Sequence, residues 1–108
     1  ASVDSIPTSA NKEDHVSMGS IAARKCRDIL ANTEEVIAIE LLCAAQGIDL
    51  FTNIKAGDGT LAAYEVIRSR VDYMKEDRIL SIDIAKVKEL LKDGSIVEAV
   101  ENKVGKLY

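Results

Sequence analysis

Apolar residues recur along this chain at spacings of three and four, and no segment requires a strand to account for it. Met18, Ala22, Cys26, Ile29 and Leu30 form a first stripe. It predicts an amphipathic helix beginning near Asn11, with Asn11 as N-cap, Glu13 in the first turn and Asp14 at the third position. Gly19 is a weak spot in that helix or a point of close packing. A second helix is expected from about Thr33, with Glu34 and Glu35 in the first turn, where the macrodipole favours carboxylates. Residues 36–45, VIAIELLCAA, are apolar almost all round. Such a helix is buried on most faces, and a chain of 108 residues offers few places to bury one. The pattern points to the interior of a large helical bundle or an oligomer.

Beyond this helix, residues 52–59, TNIKAGDG, read as a loop with Gly57 and Gly59 as breakers. Leu61, Tyr64, Ile67 and Val71 predict a third helix, and residues 72–80 are polar and irregular. Ile84, Val87 and Leu91 predict a fourth, capped by Ser81 or Asp83 and stopped at Gly94. Ser95 and Glu98 have the spacing of a capping box for a fifth. Its apolar face is Ile96, Val97, Val100 and Val104, and Gly105 ends it. Residues 1–10, ASVDSIPTSA, are irregular, because Pro7 holds Ile6 extended and Ser, Thr and Asp are dense. The fold class expected is all-α, and there is no internal repeat or low-complexity tract.

Composition narrows this picture. Apolar residues make up 47% of the chain and charged residues 30%, which excludes a disordered or bulk membrane protein. A net charge of −4 gives no basic footprint for nucleic acid. Arg24, Lys25 and Arg27 read as a solvated helix face, followed at once by Asp28. Cys26 and Cys43 are expected in apolar surroundings as small hydrophobes, with no spacing suited to zinc or a disulfide framework. A reducing cytoplasm fits such usage. The run at 36–45 is shorter than the roughly 20 residues of a membrane span and contains Glu40. The first residue is Ala1, and the residues after it read as mid-protein sequence, so further sequence is expected upstream.

Most of the chain is packing. The exception is residues 2–19, SVDSIPTSANKEDHVSMG, where a polar run meets an acidic pair and the single histidine at a helix start. The helix dipole and free N–H groups hold Glu13 ionised, whereas Asp14 beside it works the other way. A carboxylate so placed can bind an ammonium or imidazole group, or accept a proton. The same residues also suit ordinary helix capping, and His15 suits a hydrogen-bonded structural role. By themselves the residues leave both readings open.

The segment SVDSIPTSANKEDHVSMG closely resembles part of the histidine ammonia-lyases. The resemblance continues through IAARKCRDILANTEEVIAIELLCAAQGIDL and, more loosely, through TLAAYEVIRSRV, EDRILS and GSIVEAVENKVGKLY. It covers essentially the whole chain and corresponds to the family's C-terminal portion. EDHVSMG is its most specific element. Related tyrosine and phenylalanine lyases and aminomutases keep a similar frame but usually carry other residues where Glu13 and His15 stand.

This resemblance implies a helical segment of a larger helical-bundle lyase, with residues 1–10 as an irregular active-site segment, 11–51 as long core helices and 52–108 as peripheral C-terminal helices. It implies elimination of ammonia from L-histidine to give urocanate, in histidine degradation, by a cytoplasmic homotetramer. The implied electrophile is a methylidene-imidazolone group formed from an Ala-Ser-Gly tripeptide. By position, Glu13 matches a glutamate of the family's active site that touches the substrate's imidazole or amino group and can transfer a proton. Lys12 departs from the glutamine of many members, and Lys12 and His15 are assigned support of the site. Ala-Ser-Gly does not occur in this chain, and Tyr64, Tyr73 and Tyr108 do not match the family's catalytic tyrosines. The 108 residues alone are therefore expected to be inactive without the remainder of the lyase chain. Two alternatives stand beside this reading: a non-enzymatic helical association module, and the corresponding part of a tyrosine or phenylalanine lyase or aminomutase.

Overall fold

The computed structural model describes residues 18–53 and 55–107, and among these no strand occurs. Four helices follow one another among the described residues: α1 (Gly19–Leu50), α2 (Asp58–Arg70), α3 (Leu80–Lys92) and α4 (Ser95–Val104). The chain divides into two units, residues 1–33 and 34–108, with the boundary inside α1. The expected N-cap Asn11 and irregular segment 1–10 lie outside the described residues.

Two predicted helices are in fact one. The sequence suggests a new start at Thr33, but helical geometry runs unbroken from Gly19 to Leu50. The Thr33 hydroxyl donates to the Ile29 carbonyl at 2.9 Å. It thus bonds back along its own helix instead of capping a new one. Glu34 and Glu35 consequently sit in mid-helix, where Glu34 pairs with Lys92 at 3.2 Å and Glu35 with Lys88 at 3.4 Å. Their charge meets α3, not a helix dipole. Gly19 is the first helical residue rather than an interior weak point.

In the unit of residues 1–33, every residue of α1 is exposed. The predicted stripe Ala22, Cys26, Ile29 and Leu30 meets no core there, and Met18 is half-buried. Arg27 and Asp28, both largely exposed, lie 3.8 Å apart, which agrees with a solvated face.

The unit of residues 34–108 has a core of Ala38, Ala45, Ile67, Val71, Val87, Leu90 and Ile96. Leu41, Leu42, Tyr64, Ile84 and Leu91 pack against it. Both alanines are almost fully buried. The expectation of a helix buried on most faces at 36–45 is not met within this chain. Burial runs along one line, while Val36, Ile37 and Ile39 remain exposed. Cys26 and Cys43 are likewise exposed free thiols, not residues of an apolar core.

Helix ends depart from the predicted caps. α2 starts one residue before Gly59, which lies in its first turn. A Cβ at Gly59 would sit 3.4 Å from methyl groups of both Val100 and Val104, so this glycine lets α4 approach α2. The N-cap of α3 is Ile79, and Ser81 and Asp83 are helical. The capping box at Ser95 and Glu98 is replaced by a different device: Gly94 is the N-cap of α4, with φ of 78°. Asp93 accepts from both the N–H and the hydroxyl of Ser95. Those two bonds hold the Asp93 carboxyl below its ordinary range. Gly94 and Gly105 do end α3 and α4, both at positive φ, where a Cβ would be strained. On α4 only Ile96 is buried, and Val97 and Val104 are half exposed.

Candidate functional site

Glu13, to which sequence reasoning gives the chemistry, and Lys12 and His15, to which it gives support of the site, lie outside the described residues. What is described begins at the last two residues of EDHVSMG. The Met18 carbonyl accepts the Ala22 N–H at 2.9 Å, and Gly19 opens α1. The motif therefore leads directly into a helix of 32 residues.

In the unit of residues 34–108 the structure assembles a polar cluster that sequence reasoning did not foresee. Gln46 and Asp49 come from α1, and Tyr64 and Arg68 from α2. The Arg68 guanidinium bonds Asp49 Oδ2 through Nε at 2.9 Å and Nη2 at 2.6 Å. The Tyr64 hydroxyl donates to the other oxygen, Asp49 Oδ1. Arg68 Nη1 reaches the Val71 carbonyl at 3.1 Å, and Nη2 reaches Gln46 Oε1 at 3.3 Å. Gln46 then closes a two-way pair with the backbone of Met74, accepting its N–H and donating to its carbonyl, each at 3.1 Å. The guanidinium carbon also lies 5.8 Å from the Tyr64 ring centre, within cation–π range. Hydrogen bonding to the Asp49 carboxylate, then burial and the carboxylate's charge, push the Tyr64 phenol above its ordinary value.

A second pair orders the following turn. Arg78 Nε bonds the nearly buried Asp83 at 2.7 Å, and Arg78 Nη2 bonds the Asp72 carbonyl at 2.6 Å. Asp83 is thus an anchor for the 72–78 segment and not a helix cap. Between α1, this segment and α3 lies an open, mainly apolar groove of about 310 Å³. Leu42, Cys43, Gly47, Val71, Met74 and Ile84 are among its lining residues.

Chemically, both polar clusters read as clamps. Among the described residues no buried side-chain nitrogen or oxygen lacks a partner, as expected of polar groups that hold helices together. A signal for the first clamp was present in the sequence. Gln46 and Asp49 are three apart and Tyr64 and Arg68 four apart, so each pair shares a helix face. Nothing in that spacing shows that the two faces meet.

Comparison with known proteins adds what the described geometry does not supply. A sequence model of the family described as aromatic amino acid lyase matches residues 1–69. The chain belongs to that family. It is 53% identical over 107 residues to a histidine ammonia-lyase of Natranaerobius thermophilus, covering 99% of this chain and 21% of that protein. A histidine ammonia-lyase of Gloeobacter violaceus is 55% identical over the same coverage. The crystal structure of histidine ammonia-lyase from Trypanosoma cruzi superposes with a TM-score of 0.82 at 43% identity, covering 94% of this chain and 20% of that one. Tyrosine aminomutase from Streptomyces globisporus superposes with a TM-score of 0.79 at 33% identity, covering 92% of this chain and 19% of that one. The chain thus spans about a fifth of the length of its relatives. The all-α expectation holds, and the family is the one to which the sequence resemblance points. The match to the family model stops within α2, so α3 and α4 are related to these proteins by direct likeness alone.

Proposed function

We propose that this chain is part of a histidine ammonia-lyase, which eliminates ammonia from L-histidine to give urocanate. The observation that supports this reading most is identity of about half the residues, over nearly the whole chain, with proteins of that name. The lower identity to the tyrosine aminomutase favours histidine over tyrosine as substrate.

Within this reading Glu13 is the residue that touches substrate. A carboxylate at this position binds the imidazole or amino group of histidine and accepts a proton from it. Lys12 and His15 hold the polar surroundings of Glu13. A methylidene-imidazolone group, when formed, supplies the electrophile that such an elimination needs. This chain contains no Ala-Ser-Gly tripeptide, so the group would have to arise from sequence beyond these 108 residues. The working protein is a cytoplasmic homotetramer in this proposal. In support of association, Val36, Ile37 and Ile39 present apolar surface in a segment otherwise suited to burial.

The test uses the full reading frame that encodes this chain. The purified product should convert histidine to urocanate, followed by ultraviolet absorbance, and should turn over tyrosine and phenylalanine far more slowly. Glu13→Ala should lower turnover by about 100-fold or more, the scale of a lost acid–base group. Normal turnover in Glu13→Ala would remove the role given to Glu13. A frame without Ala-Ser-Gly, with no lyase activity, would instead favour a helical association module.

A further inference from the structure

We draw no further inference here: the strongest candidate, the apolar groove between α1, the 72–78 segment and α3 with Cys43 on its wall, carries nothing because nothing in the structure shows what covers it.

Discussion

The two halves of α1 are built from similar material and meet different fates. Residues 19–33 contain Ile21, Ile29 and Leu30, all between 47% and 58% exposed. Residues 34–50 contain Ala38 and Ala45, almost fully buried, with Leu41 and Leu42 packed against the same core. Helix propensity does not separate them, since one helix runs through both. What separates them is company. From Glu34 onward, α1 is fixed by ion pairs to Lys88 and Lys92 and by the clamp of Asp49 and Gln46 on Arg68. The lesson is that an apolar stripe is a capacity for burial, and a neighbouring element must be present to use it.

The comparison predicts a graded response to substitution, read as unfolding free energy of the chain in urea. The largest loss is expected for Arg68→Ala, about 4 kcal/mol, because it leaves the Asp49 carboxylate unpaired in a mostly enclosed position. Leu90→Ala should cost about 3 kcal/mol through lost burial and a residual cavity. Ala38→Leu should cost about 2 kcal/mol, since it forces a larger side chain into a fully buried position. Equal losses from Leu30→Ala and Leu90→Ala would break the comparison, because Leu30 should change stability by about 0.5 kcal/mol or less.

Charge gives smaller effects with a definite sign. The Tyr64 phenol has its pKa raised by the bond to Asp49. Its protonated form is the one the folded state favours, so the contribution is complete below the ordinary phenol value near 10. It is lost as pH rises through the higher folded value. Stability measured across that alkaline range should fall, and Tyr64→Phe should flatten the fall. Asp93 behaves in the opposite sense. Its lowered pKa makes its contribution complete above the ordinary carboxylate range and lost on acidification through the folded value. Lys92→Ala, which removes the exposed partner of Glu34, should cost about 0.5 kcal/mol or less. Light scattering gives an independent check on the exposed half. The chain by itself should associate as concentration rises, and Ile29→Ser with Leu30→Ser should reduce this while leaving the unfolding free energy nearly unchanged.

The fold was largely legible in the sequence where the signal was local. Spacings of three and four located α2, α3 and α4, and Gly94 and Gly105 marked the ends of α3 and α4, where glycine readily takes the positive φ. Helix starts were less legible. Thr33, Ser81, Asp83 and Ser95 all have side chains suited to capping, yet each is committed elsewhere or lies within a helix. Capping chemistry shows what a residue can do, and the competing partner decides what it does.

The candidate site divides in the same way. The sequence by itself determined the all-α class, the EDHVSMG segment with Glu13, and a likeness to the aromatic amino acid lyases that the family match establishes. Only the tertiary structure decided that Asp49, Tyr64, Arg68 and Gln46 form one hydrogen-bonded clamp, and that Asp83 anchors Arg78. The physical reason is range. Periodicity and turn chemistry act over a few neighbours along the chain. The clamp joins positions up to 28 residues apart, and it exists only after the helices that carry them have packed.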